Sequence, residues 1–124
     1  MKLLDTSAWV EYFKGTEKGE KVKTILAEHQ IYTSAITFAE ISKWLSENNI
    51  SPDFAIEQIK INSIIISLEE PILIESGIRY TPLRKIKPKI GLIDTIIYVS
   101  AILHDLTLVT RDYDFQGLTN VEMI

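Results

Sequence analysis

Four acids are spaced along the chain where short apolar runs end or helical patterns begin: Asp5, Glu40, Asp94 and Asp112. Carboxylates brought together repel, so some must protonate or the site must spread unless a cation joins them. The chain has no cysteine and only two histidines, His29 and His104. Oxygen ligands are therefore what it can offer a metal, which points to Mg²⁺ or Mn²⁺. Two such ions ~3.5–4 Å apart can clamp the attacking and leaving oxygens of a phosphodiester displacement.

Each acid also has a plainer reading. Asp5 can be an acid at a helix N-terminus, stabilised by the macrodipole. Glu40 stands three residues after Thr37, the spacing of a capping box. Asp112 and Asp114 can be turn residues. Asp94 interrupts an otherwise apolar helical stretch, where burial of an unpaired carboxylate is costly, although its early position still permits a cap. The pattern suggests a carboxylate site without requiring one.

The elements that would position these acids can be read from periodicity. Lys2-Leu3-Leu4 is a short apolar run ending in Asp5-Thr6-Ser7, a buried strand followed by a helix start. That helix runs from Ala8 to Phe13 and stops near Gly15. A second helix spans Glu20 to His29, with Val22, Ile25 and Leu26 on one face. Ile31-Tyr32-Thr33 is a strand. Thr37 caps a helix carrying Ile41, Trp44 and Leu45, which ends by Asn48-Asn49. Asp53 to Ile61 is another helix, and Ile64-Ile65-Ile66 is the best buried-strand candidate. Glu69 to Tyr80 is again helical. Ile78 to Leu92 carries Arg79, Arg84, Lys85, Lys87 and Lys89 with no acid, and Pro82, Pro88 and Gly91 make it a basic loop. Leu92 to Leu103 is apolar nearly all round and reads as a buried helix. Thr107 to Thr110 is a strand, Asp112 to Phe115 a turn, and Val121 to Ile124 a last short strand.

Short apolar strands alternating with helices predict a single α/β domain over 1–124 with a parallel sheet. In such sheets ligands bind beyond the carboxyl ends of the strands, where strand order reverses. If the first and fourth strands are neighbours there, Asp5 and Asp112 approach each other.

Four segments together resemble PIN-domain nucleases, especially the VapC-type toxins. They are Leu3-Leu4-Asp5-Thr6-Ser7-Ala8-Trp9, Phe38-Ala39-Glu40-Ile41, Gly91-Leu92-Ile93-Asp94-Thr95-Ile96-Ile97 and Leu108-Val109-Thr110-Arg111-Asp112-Tyr113-Asp114-Phe115. The resemblance implies a three-layer PIN-like domain with a parallel, about five-stranded sheet flanked by helices. It implies an endoribonuclease dependent on Mg²⁺ or Mn²⁺ that hydrolyses RNA, often tRNA or another structured RNA. It makes Asp5, Glu40, Asp94 and Asp112 the metal-site acids, with Asp114 a second candidate at the fourth position. Thr6 and Thr110 would orient water or ligands. Toxin members are commonly homodimers neutralised by a small antitoxin. The chain departs from many relatives in the bulky Thr95-Ile96-Ile97-Tyr98-Val99 segment, where they carry smaller residues.

Composition frames the remaining expectations. A net charge of -4 argues against a protein that coats nucleic acid constitutively, not against an enzyme that meets RNA at one patch. Arg84, Lys85, Lys87, Lys89 and Arg111 are the candidate RNA contacts, since cations beside an acidic site offset its repulsion of phosphate. Trp9, Tyr12, Phe13 and Trp44 suit packing better than base stacking, and His29 and His104, near helix ends, suit a dipole role better than catalysis. Asp5 interrupts any signal-peptide core and no apolar run reaches the ~20 residues of a membrane span, so a soluble cytoplasmic protein is expected. Rival readings are a PIN nuclease of RNA processing, a DNA-directed flap nuclease, and a non-catalytic RNA- or protein-binding PIN module.

Overall fold

A computed structural model describes residues 1–124. The chain runs β1 (Lys2–Leu4), α1 (Thr6–Lys14), α2 (Glu17–Glu28), β2 (Ile31–Ser34), α3 (Thr37–Glu47), α4 (Pro52–Asn62), β3 (Ile64–Ile66), α5 (Glu70–Ile86), α6 (Leu92–Leu103), β4 (Thr107–Thr110), a 3₁₀ turn (Tyr113–Phe115) and β5 (Val121–Met123). All strand pairs are parallel, in the order β3-β2-β1-β4-β5. The chain leaves β1 toward β2 and β3, then returns to the other side of β1 with β4. The order therefore reverses between β1 and β4, the condition under which the ends carrying Asp5 and Asp112 approach each other.

Side chains alternate across a strand, and the two cores follow that period. Leu4, Ile31 and Val109 join Trp9, Val22, Ile41 and Ile59 under α1 to α4. Leu3, Ile66 and Leu108 join Ile72, Ile97, Tyr98 and Phe115 under α5 and α6. The result is a three-layer α/β/α domain. Trp9 is fully buried, and its indole N–H donates to Thr33 Oγ1 at 3.1 Å. Truncating so large a buried side chain costs about 3–5 kcal/mol. Tyr12 and Phe13 pack against the same core. Trp44 alone of these aromatics borders the acidic site, in a cleft with Thr6 and Glu40.

The corner between α1 and α2 is tight. Gly15 ends α1 at φ +67°, a left-handed conformation that glycine adopts without penalty. Thr16 then caps α2, accepting from the Gly19 N–H at 3.0 Å. A Cβ at Gly19 would sit 2.2 Å from the Glu11 carbonyl oxygen, so only glycine lets α2 lie this close to α1.

Three local expectations are corrected. The basic loop over 78–92 is mostly helix: α5 continues to Ile86, with Arg79, Arg84 and Lys85 on it and Pro82 inside it. Proline forfeits one helical hydrogen bond, but Ile72 and Ser76 before it are buried, and Leu83 after it packs into the core that α6 shares, beside Tyr98. Ile64 is 46% exposed, because β3 is an edge strand rather than a buried one. Thr37 is the first helical residue of α3 and not its cap, which is Ile36. No helix is long and apolar enough to cross a membrane.

Candidate active site

Asp5 lies directly beyond β1, and Asp112 two residues beyond β4. The register pairs Leu4 with Val109, and the Asp5 N–H donates to the Val109 carbonyl at 2.9 Å. This sets Asp5 beside Thr110. Asp5 stands at the N-cap of α1 but makes no cap hydrogen bond with its side chain. Its Oδ2 instead accepts from Ser7 Oγ at 2.7 Å and from Thr110 Oγ1 at 2.8 Å. Asp5 thus keeps its place at the N-terminus of α1 while its side chain is tied to Ser7 and to the neighbouring strand at Thr110.

Glu40 fails the capping-box reading. Its Oε1 accepts from Thr6 Oγ1 at 2.6 Å, and Thr6 pairs with the Thr37 hydroxyl at 3.0 Å. Thr6 thus ties the start of α1 to the first turn of α3. Asp94 does have a capping contact: its Oδ2 accepts from the Gly91 N–H at 3.1 Å. Asp112 Oδ1 accepts from the Asp114 N–H at 2.9 Å, holding the 3₁₀ turn. Asp112 N–H in turn donates to Thr110 Oγ1 at 2.9 Å.

A single arrangement emerges. Each of the four acids is held through one carboxylate oxygen, and the other makes no side-chain or capping bond. None of the four is in an ion pair with a lysine or arginine. The electrostatics show that they face one another. Burial raises the Asp5 carboxyl above its ordinary value; the Ser7 and Thr110 hydroxyls oppose this, and Asp112 adds to it. Glu40 is raised by burial first and, with Thr6 opposing, by Asp5 and Asp94. Asp94 is raised by burial first and, with the Gly91 N–H opposing, by Asp5, Asp112 and Asp114. Asp94 is the hub, within electrostatic reach of every other acid.

As they stand, no three of these side chains are drawn together tightly enough to hold an ion. Like charges without a counter-ion keep their distance, and the free oxygens are what a divalent ion would gather. Hard oxygen donors, none of them ion-paired, and the raised carboxyl groups of Asp5, Glu40 and Asp94 fit Mg²⁺ or Mn²⁺, with Lys43 the one cation acting on Glu40. Asp114 faces Asp94 and carries no hydrogen bond on its carboxylate, consistent with its standing as a further candidate.

Sequence reasoning missed Ser7. It was readable only as a helix-start residue, yet its hydroxyl binds Asp5, lies 3.1 Å from Thr110 Oγ1 and accepts from the Arg111 N–H at 3.1 Å. Its spacing of two from Asp5 was the available signal. Thr6 and Thr110 orient acids, where the resemblance had them orienting water or ligands. Among the basic residues, Lys87 and Lys89 line a cleft with Tyr113 and Asp114, while Lys87 Nζ also donates to the Gln116 carbonyl. Arg84 donates to the Tyr80 hydroxyl at 2.9 Å and the Ile90 carbonyl at 3.4 Å, and Lys85 is exposed on α5. Arg111 lines a separate cleft with Ser7 and Asp112.

The family model described as PIN domain matches residues 2–120. No curated protein matches the sequence. Among solved structures the chain is similar to a toxin–antitoxin complex from Klebsiella pneumoniae, with 27% identity, TM-score 0.74, and coverage of 98% of this chain and 96% of that one. It shares its fold with VapBC2 from Rickettsia felis bound to a promoter DNA fragment, at 22% identity and TM-score 0.73, covering 99% and 96%. It also shares it with Mycobacterium tuberculosis VapC20, described as a sarcin–ricin-loop-cleaving toxin, at 14% identity and TM-score 0.72, covering 98% and 99%. The resemblance read from four short motifs therefore extends over nearly the whole chain.

Proposed function

The chain belongs to the PIN-domain family, and from that premise we propose that it is a cytoplasmic, Mg²⁺- or Mn²⁺-dependent endoribonuclease, the toxin of a toxin–antitoxin pair. The observation that carries this reading is that Asp94 lies within electrostatic reach of Asp5, Glu40 and Asp112 around the switch point between β1 and β4, with none of the four in an ion pair. Asp5, Glu40, Asp94 and Asp112 would hold the metal, which when bound supplies an activated water and neutralises charge on the phosphodiester.

The chain's own residues do the rest. Ser7 and Thr110 fix the Asp5 carboxylate between β1 and β4, and Thr6 fixes Glu40. Gly91 fixes Asp94. These bonds set the acids in place before substrate arrives, the condition under which charge stabilisation contributes most to a reaction. Lys89 and Lys87 beside Asp114, and Arg111 beside Asp112, would draw the RNA backbone to a site that otherwise repels it. Arg84 and Lys85, on α5, would act only at longer range.

The partner assignments rest on two apolar faces left open. Ile74, Ile78 and Ile86 are exposed along α5 at helical spacing, and Ile78 and Ile86 line a groove of about 310 Å³ with Pro82, Leu83 and Tyr98. Phe54 and Ile61 are likewise exposed on α4. Faces of this kind mark association surfaces, which supports a homodimer and a small antitoxin partner, the similar Klebsiella pneumoniae structure being a toxin–antitoxin complex.

The test is cleavage of structured RNA by the purified chain. Products are expected with Mg²⁺ or Mn²⁺, none in EDTA, and recovery when metal is restored. Metal-independent RNA binding with no cleavage of tRNA or ribosomal RNA in either metal would make this a binding module instead.

A further inference from the structure

We propose that the cleft beside Asp112 is a nucleotide subsite, in which Lys18 and Arg111 take a phosphate next to the scissile one and Tyr113 stacks on an unpaired base, with Glu11 positioning Arg111. This rests on the nuclease reading and deepens it by naming the residues that would hold the nucleotide beside the scissile phosphate.

Glu11 is the first observation. Its side chain is 8% exposed, and Oε2 has no hydrogen-bond partner. The cations near it are Arg111, with Nη1 at 3.5 Å from Oε1, and Lys14, with Nζ at 3.7 Å from Oε2. A buried carboxylate held so loosely is weak as a source of stability, since an apolar side chain of similar size generally serves as well. What Glu11 does do is place a negative charge behind the Arg111 guanidinium. The Arg111 backbone is already anchored through its N–H to Ser7. Arginine has five N–H donors in a planar fork. With Glu11 behind it and 40% of the side chain exposed, the remaining donors are available to a phosphate.

Lys18 is the second. It lies in the first turn of α2, where a cation opposes the helix dipole. With Ser7, Arg111, Asp112 and Tyr113 it lines a cleft of about 440 Å³, where it is a second cation beside Arg111.

Tyr113 is the third. Its ring is 67% exposed on a turn held by the Asp112 carboxylate, and Lys18 Nζ lies 5.6 Å from the ring centroid. An exposed cation–π contact is weak, whereas stacking on a base is the stronger use of such a ring. Bases within a duplex have their faces covered, so the ring serves an unpaired nucleotide.

The experiment measures binding of a fluorescent single-stranded RNA hexamer and of a blunt duplex of the same length. The full chain carries Asp94→Asn to stop cleavage and is kept in Mg²⁺. Lys18→Ala and Tyr113→Ala should each weaken hexamer binding about fivefold or more, the size of one lost stacking or phosphate contact, while Tyr113→Phe retains most of it. Lys18→Ala should also flatten the salt dependence by about 0.7 in the log–log slope, the value for one phosphate contact on a single strand, and Tyr113→Ala should not. Glu11→Gln should weaken binding in the same direction as Arg111→Ala and add nothing to it in the double variant. In the active chain, the fall in kcat/KM for Lys18→Ala should be carried by KM. Equal hexamer affinity with and without Lys18→Ala or Tyr113→Ala, or tighter binding of the duplex than of the hexamer, overturns the subsite even if the enzyme cleaves RNA. Hexamer binding that depends on Lys18 and Tyr113, in a chain that cleaves nothing, supports the subsite and removes the nuclease reading instead.

Discussion

Asp94→Asn is expected to lower the rate of metal-dependent RNA cleavage at least about a hundredfold while leaving the fold intact. The substitution isolates charge. An asparagine oxygen can still accept from the Gly91 N–H, so the cap on α6 survives. What is lost is the carboxylate that faces Asp5, Glu40, Asp112 and Asp114. Removing one preorganised electrostatic group from a reacting centre costs about 2.7–4 kcal/mol of barrier, and a hundredfold is the low end of that range. Initial rates on one RNA, with circular dichroism to check folding, decide the matter. Wild-type rates from a folded Asp94→Asn chain would remove this residue from the site.

The second large effect concerns stability. Asp5→Asn is expected to melt several degrees above wild type without metal and to gain less than wild type when Mn²⁺ is added. Asp5 is 4% exposed, and burial, with help from Asp112, raises its carboxyl above the ordinary value. A raised folded-state pKa means that ionised Asp5 opposes folding. The penalty is absent below the ordinary carboxylate value of about 3.9. It grows as pH rises from there and is complete above the folded-state value. At neutral pH the asparagine is spared it; in acid the difference should close. A metal that binds only the folded chain adds about 2.7 kcal/mol at a hundredfold excess over its dissociation constant. For a domain of this size that is roughly 8–12 °C. Melting curves of both proteins at neutral and acid pH, with and without Mn²⁺ at fixed ionic strength, check each part. If wild type gains nothing from Mn²⁺ and Asp5→Asn melts lower in its absence, Asp5 is a structural residue that merely holds Ser7 and Thr110 in place.

The parts of the site that depend on chain direction were legible in the sequence. Asp5 and Asp112 follow short apolar strands, and a parallel sheet brings the ends of such strands to one edge. The parts that depend on register were not. Ser7 can join Asp5 to Thr110 because Leu4 pairs with Val109, a pairing no local pattern encodes. Thr37 and Glu40 have capping-box spacing, but Ile36 takes the cap position, and Thr6 from another element takes the glutamate. Pro82 read as a helix breaker because the apolar contacts that carry α5 past it come from another element, α6. Glu11 carries no signal of its own in the sequence, since nothing near it announces that Arg111 comes to stand beside it.

The central claim is that Asp5, Glu40, Asp94 and Asp112 act together on a divalent ion. Titration of Mn²⁺ into the purified chain at neutral pH, followed by the paramagnetic resonance of the free aquo ion, addresses it without any assumption about the RNA. Saturable uptake of Mn²⁺ by wild type, displaced by excess Mg²⁺ and weakened at least about tenfold in Asp94→Asn, is the predicted result. A wild-type chain that leaves all the Mn²⁺ free, or an Asp94→Asn chain that binds it equally well, would contradict the account.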